Sequence, residues 1–244
     1  MSRLKGFVQQ TFQRLGWEVR RNSYPNAEEI LLSRFLKVAR PDTIFDIGAN
    51  VGQYASTLRK SGFLGRIVSF EAIPAVHADL AAAASGDPNW IVAPCCALGR
   101  CSGEAEIHTS ANSVSSSLLP MHESHLRAEP DSVYVAKEKV RLARLDELTP
   151  ELGTQLGRLM LKIDTQGYEE EVLRGAGAVL DDVCAMQLEL SLSPLYKGAP
   201  SLQQMLSLCE ELHFELHGLI PGFFDRNSGK LLQMDGLFLR AGEV

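Results

Sequence analysis

Long apolar runs are missing from this chain of 244 residues. No stretch approaches the ~18 residues that a membrane-spanning helix needs. Cysteine is scarce. Cys95, Cys96, Cys101, Cys184 and Cys209 make an odd five, and no two stand as C-x-x-C. That argues against a disulfide framework or a zinc site, and a reducing, cytoplasmic setting is expected. An excess of basic charge is also absent: 24 Lys and Arg against 30 Asp and Glu give −6. General nucleic-acid binding is therefore not expected. The opening residues, MSRLKGFVQQTFQRLGWEVRR, hold no continuous apolar core and no small-residue cleavage site, so no signal peptide is expected there. No internal repeat is visible.

What is present suffices for a substantial core. Hydrophobic residues make up 45% and charged residues 22%, which fits one large globular domain or two small ones. In residues 3–21, Leu4, Phe7, Val8, Phe12 and Leu15 fall at helical spacing, and Arg3, Lys5, Arg14, Arg20 and Arg21 face a lone Glu18. The segment reads as a basic amphipathic helix. It either packs on the domain with a solvated basic face or lies on a membrane surface. A second helix is expected over 26–38, where Asn26 and Glu29 have capping-box spacing, and Pro41 ends it. Residues 1–40 thus read as a helical extension, and 41–244 as the main domain.

From Thr43 the chain alternates apolar strands with helices. Strands are expected at 43–47, 66–70, 90–94, 159–163 and 183–190. Helices are expected after Gly52 to about Lys60, at 74–84, from Asp164 through Leu173, and at 201–212. Such alternation means a largely parallel sheet covered on both faces. The tail differs: strands near 214–219 and 231–239 are joined through Asn227-Ser228-Gly229 without a helix, so an antiparallel edge hairpin is expected. Residues 104–108 and 139–142 alternate like exposed strands. The Ser- and Pro-rich stretch between them reads as a lid or a floppy insertion, spanning 104–142 in all.

Two features point to chemistry. Asp46-Ile47-Gly48-Ala49-Asn50-Val51-Gly52 lies where a strand hands over to a helix, the edge at which open α/β sheets bind ligands. Glycine permits a sharp turn, and the helix start offers unpaired N–H groups. The dinucleotide fingerprint G-x-G-x-x-G would need glycine where Asn50 stands. Glu71 then closes the next strand, where a carboxylate meets a ribose in nucleoside-binding folds.

These residues resemble the FkbM-type methyltransferases. The resemblance rests on D-I-G-A-N-V-G-Q-Y at 46–54, S-F-E-A at 69–72, A-L-G at 97–99 and S-S-S-L-L at 115–119. It continues in R-L-D-E-L at 144–148, L-K-I-D-T-Q-G-Y-E at 161–169 and L-E-L at 188–190. It implies a Rossmann-like class I methyltransferase fold, with a seven-stranded, mostly parallel sheet whose last strand is antiparallel. It implies S-adenosylmethionine as cofactor. Asp46, Gly48, Ala49, Asn50 and Gln53 would surround its methionine end, Glu71 and Ala72 its ribose, and Cys96 and Ala97 its adenine. Homodimers are a further expectation of the fold.

Asp164 and Glu189 end the fourth and fifth strands and are expected as neighbours at the ligand-binding edge. Two mechanisms stay open for methylating a hydroxyl. Asp164, or one of the loop histidines His122 and His125, accepts the proton; or Asp164 and Glu189 hold Mg2+, which lowers the hydroxyl pKa. Lys162 and Asp235 are further polar candidates. The expected activity is an O-methyltransferase acting on a small-molecule or glycolipid acceptor, with a sugar hydroxyl first and a polyketide hydroxyl second. A nicotinamide-dependent oxidoreductase and a non-enzymatic binding module are the rivals from other classes.

Overall fold

The computed structural model describes residues 27–152 and 156–242. The basic helix expected at 3–21 lies outside them. Helix α1 (Ala27–Ala39) precedes strand β1 (Thr43–Ile47), helix α2 (Gln53–Lys60), strand β2 (Arg66–Phe70), helix α3 (Pro74–Ala84) and strand β3 (Trp90–Val92). Then come β4 (Ala97–Leu98), β5 (Gly103–Ser110), the short helix α4 (Glu123–Ala128), β6 (Tyr134–Ala143) and α5 (Leu145–Leu148). The chain closes with β7 (Leu159–Ile163), α6 (Glu169–Arg174), β8 (Val183–Ser191), α7 (Leu202–Glu211), β9 (Phe214–Pro221) and β10 (Gln233–Arg240).

Seven strands form one sheet in the order β3-β2-β1-β7-β8-β10-β9. Every pairing from β3 to β8 is parallel, and β10 runs antiparallel between β8 and β9. The tail hairpin therefore forms the edge its sequence suggests. The central strands are apolar on both faces because helices cover both. Phe45, Val68, Leu161 and Leu188 enter one core. Ile44, Ile67, Met160 and Ala185 enter the other, together with Phe35 of α1, Leu58 of α2 and Leu80 of α3. The described part of the N-terminal extension is thus built into the main core: Leu32, Phe35 and Ala39 are buried there. Among the described residues no helix is long and apolar enough to cross a membrane.

The 104–142 stretch is more ordered than a loop. β5 and β6 pair antiparallel over their length, and β4 joins β6 to make a second, three-stranded sheet. Ile73, Ala97, Ile107, Val140 and Leu142 form its own apolar cluster. Single-residue patterning does not reveal β4, which has two residues and takes its identity from its partner. Strand β3 stops at Val92, short of Pro94, because pairing with β2 ends at Ser69–Val92. Helix α6 starts at Glu169 rather than just after Asp164. Gln166 and Gly167 intervene with φ of 55° and 95°, and such left-handed backbone interrupts a helix.

Candidate active site

The carboxyl ends of β1, β2 and β7 converge on one cavity of about 360 Å³. The glycine turn is sewn in by its backbone: Gly48 and Ala49 donate to Phe70 O at 3.1 and 3.0 Å, and Asp164 donates to Ile47 O at 3.0 Å. A side chain on Gly48 is impossible here, since its Cβ would stand 1.9 Å from Asp164 O and its φ is 78°.

Gly48, Ala49, Asn50, Gln53, Glu71, Ala72, Cys96 and Ala97 all line the cavity. The Glu71 carboxyl is 7% exposed. Its Oε1 accepts from the backbone N–H of Ala72 and Ile73, and its Oε2 from that of Asn50, each at 2.9 Å. Burial raises its pKa, and the three N–H donors oppose that rise. With about four acceptor sites on a carboxylate, the free one is on Oε2. Next to it, Ile73, Cys96, Ala97 and Leu98 form a buried apolar wall. Burial pushes the Cys96 thiol up to about 11, so it serves as wall rather than nucleophile.

Asp46 does not line the cavity. It belongs to a polar row that crosses the sheet on one face. Registers align Ser69 with Asp46, Asp46 with Lys162, and Lys162 with Gln187. On that face the preceding positions, Ile67, Ile44 and Met160, are apolar core. Trp90 Nε1 donates to Ser69 Oγ at 2.9 Å, and Ser69 Oγ lies 3.4 Å from Asp46 Oδ2. Lys162 Nζ stands 3.5 Å from Asp46 Oδ1 and 3.3 Å from Asp164 Oδ2. Burial alone would lower the Lys162 pKa; the carboxylates of Asp164, Asp46 and Asp235 outweigh it and hold the ammonium charged. Asp46 thus acts on the cavity through Lys162, which does line it.

Asp164 lines the cavity with its side chain 36% exposed, and Glu189 stands behind it. The sequence places both at the strand ends, and the structure joins them through a residue that sequence reasoning passed over. Gln166 Nε2 donates to Asp164 Oδ1 at 2.7 Å and to Glu189 Oε1 and Oε2 at 3.1 and 3.0 Å. Tyr196 Oη donates to Gln166 Oε1 at 2.5 Å, which fixes the amide's orientation. Loss of hydration and the nearby charges of Asp164, Glu169 and Asp235 hold the Glu189 carboxyl well above its usual range. Glu169 sets the turn from below, its Oε1 accepting from Thr165 N at 2.9 Å and Gly167 N at 3.1 Å.

A second cluster joins Asp235, a candidate already in the sequence, to Tyr54 and Gln187, which the sequence reading did not single out. Tyr54 Oη donates to Gln187 Oε1 at 2.8 Å, and Gln187 Nε2 donates to Asp235 Oδ2 at 2.8 Å. All three line the cavity. The unread signal was a glutamine, Gln187, inside an otherwise apolar strand run.

The two loop histidines stand elsewhere, which corrects their expected place beside the acceptor. His122 caps α4, its Nδ1 accepting from Ser124 N at 3.3 Å. His125 is buried between the rings of Tyr196 and Phe223, at centroid distances of 5.2 and 5.3 Å. Burial lowers its pKa to about 4. Neither lines the cavity. The insertion nevertheless roofs it through Ser113, Val114, Ser116, Ser117 and Leu118.

The residues fit S-adenosylmethionine and do not fit Mg2+. An acid-rich cavity with one apolar wall suits a cationic sulfonium attached to a flat base. Between Asp164 and Glu189, by contrast, sits the NH2 of Gln166, a donor where a cation would need acceptors. Among the described residues no group of three or more His, Cys, Asp or Glu is arranged to hold a metal.

A family model, the methyltransferase FkbM domain, matches residues 46–216. Comparison with curated proteins returns no match. Among solved structures, a Klebsiella pneumoniae protein provisionally named an O-methyltransferase is 10% identical with a TM-score of 0.50, covering 97% of this chain and 89% of that one. A Pyrococcus horikoshii protein provisionally named an RNA methyltransferase is 10% identical at TM-score 0.46, covering 87% and 82%. Mitomycin 7-O-methyltransferase is 11% identical at 0.47, covering 88% of this chain and 53% of its own, so this chain spans about half its length. At these identities the likeness is one of fold.

Proposed function

The chain belongs to the FkbM methyltransferase family, and from that premise we propose that it moves the methyl group of S-adenosylmethionine onto a hydroxyl of a sugar. The observation that carries this reading is the pairing of two carboxylates in one cavity. Glu71 follows β2 and Asp164 follows β7, with β1 between them, a span of two strand spacings, about 10 Å. That separation lets one carboxylate hold the donor's ribose while the other faces an acceptor.

When bound, the cofactor supplies a methyl group activated by its sulfonium. The chain supplies position and a proton acceptor. Glu71 Oε2 takes a ribose hydroxyl, and Ile73, Cys96, Ala97 and Leu98 enclose the base. Lys162 Nζ stands 3.3 Å from Asp164 Oδ2, and Gln166 Nε2 donates to its Oδ1. Asp164 accepts the proton of the acceptor hydroxyl as the methyl arrives, which a weakly nucleophilic alcohol needs. No step passes through a metal.

A sugar suits the acceptor end because its side chains are polar: Lys162, Asp164, Gln166, Gln187 and Asp235. A polyketide hydroxyl, the other acceptor the resemblance implies, would bring an apolar body to that end. Contact of residues 3–21 with a lipid surface and pairing of two copies belong to the same reading; vesicle flotation and light scattering measure them.

The test is calorimetric titration with S-adenosylhomocysteine, with NAD as comparison, followed by mass spectrometry of deoxyhexose glycosides incubated with S-adenosylmethionine. Homocysteine-product binding with a methylated sugar hydroxyl supports the reading. Failure of S-adenosylhomocysteine to bind sinks it.

A further inference from the structure

The charge around the acceptor end is lopsided, and the imbalance selects the acceptor. Asp164 and Asp235 line the cavity there, and Glu71 lines it at the other end. Lys162 is the single cationic side chain among the described lining residues, which include no arginine and no histidine. Its ammonium is already matched on two sides, by Asp46 Oδ1 at 3.5 Å and Asp164 Oδ2 at 3.3 Å. A phosphate or carboxylate on the reacting sugar would meet carboxylates and find no uncommitted cation among the described lining residues. Anion recognition elsewhere relies on arginine forks or lysine, and no arginine is among the described residues that line this end.

Asp235 has a particular place in that arrangement. It comes from β10, at the register position opposite Glu189, and it accepts from Gln187 Nε2 at 2.8 Å. Tyr54 holds the far side of Gln187. The polar chain Tyr54–Gln187–Asp235 thus aims a fixed carboxylate along the acceptor end. Asp235 also lies beyond residues 46–216, the stretch that the family model matches.

We propose that Asp235, oriented by Gln187 and Tyr54, restricts the acceptor to an uncharged sugar, hydrogen-bonded through its hydroxyls, and rejects sugars that carry a phosphate or carboxylate on the reacting ring. This rests on the methyl-transfer reading above. A neutral diol donates to a carboxylate at little desolvation cost, whereas two like charges a few ångströms apart repel. The sugar therefore reaches this enzyme free of its activating phosphate, as the product of a glycosyl-transfer or phosphate-removing reaction.

The experiment pairs neutral and anionic probes of one sugar. Methyl fucoside, methyl glucoside and methyl rhamnoside are compared with glucuronate, fucose 1-phosphate and glucose 6-phosphate. Methylation is read by mass spectrometry in the unaltered protein and in Asp235→Asn, which removes the charge and keeps the shape. Titration with S-adenosylhomocysteine checks each cavity. Methylation confined to neutral members, with the neutral-over-anionic preference falling about tenfold or more in Asp235→Asn, is the expected result. Equal methylation of anionic members, an unchanged preference in the variant, or methylation of no saccharide while S-adenosylhomocysteine still binds overturns the inference and leaves methyl transfer standing. Absence of S-adenosylhomocysteine binding overturns the methyl-transfer reading itself. Should Asp235→Asn not fold, Gln187→Leu, which releases the carboxylate from its guide, must lower the same preference.

Discussion

Asn50 and Ser113 are bonded to each other, Asn50 Nδ2 donating to Ser113 Oγ at 3.2 Å. Both hold left-handed backbone, at φ of 49° and 57°. The bond ties the glycine turn to the roof that the insertion builds, and Asn50 Oδ1 also accepts from Val51 N at 2.9 Å. Asparagine tolerates this backbone better than most residues.

Asn50→Ala removes both bonds and places alanine in a strained conformation. A loss of about 1–3 kcal/mol is expected. Asn50→Gly loses the same bonds without the strain and should fall less. Urea denaturation of the two variants measures the difference. Equal losses would mean that the backbone strain contributes nothing.

Glu71→Ala should weaken S-adenosylhomocysteine binding by roughly 1–3 kcal/mol through the lost charge-assisted bond. The effect belongs at the lower end, because three backbone donors already occupy most of the carboxylate. Burial raises the Glu71 pKa above its ordinary 4.5. Acidification through that raised value protonates the acceptor, so affinity declines as pH falls. Calorimetry across an acidic series checks the sign, and affinity flat in pH would contradict the ribose assignment.

Much of the scaffold was legible in the residues. The runs TIFDI, RIVSF and LMLKI became β1, β2 and β7 with the bounds their patterns suggest, because buried parallel strands are continuous apolar segments. The R-L-D-E-L block turned out to be scaffold: Arg144 Nε donates to Asp146 Oδ1 at 2.9 Å, and Arg144 Nη1 donates to Arg100 O at 2.8 Å. What escaped was long-range. Tyr54 and Gln187 are 133 positions apart, and Tyr196 and Gln166 thirty; no local period brings such pairs together. The histidines misled for the converse reason. Their imidazole chemistry suggested proton transfer, while packing made one a cap and the other part of an aromatic cluster.

His125 gives the protein an acid-sensitive core. Its pKa is lowered by burial from 6.5 to about 4, so the unfolded chain binds the proton first. The stabilisation is present above 6.5 and is lost as pH falls toward 4, with a limit of about 3 kcal/mol. His125→Phe keeps the ring and removes the titration. Its thermal midpoint should fall less than that of the unaltered protein between those pH values, and parallel curves would show that His125 is not the sensitive group.

Methyl transfer should be indifferent to chelators. Gln166 holds Asp164 and Glu189 together with its own NH2, at 2.7 to 3.1 Å. Treatment with a chelator is expected to change the rate by less than about twofold, whereas metal-assisted hydroxyl activation would cost orders of magnitude. A rate restored only by added Mg2+ would require the amide to move aside.

The strand order has a consequence for folding. β10 lies between β8 and β9, both of which precede it in the chain. In the finished sheet β9 does not pair with β8. The two stand a strand's width apart, each with an open edge until residues 233–240 fill the gap. Open edges invite pairing with other chains. The strand that closes the gap also delivers Asp235. Relief from aggregation and completion of the acceptor end therefore arrive together, when residues 233–240 join the sheet.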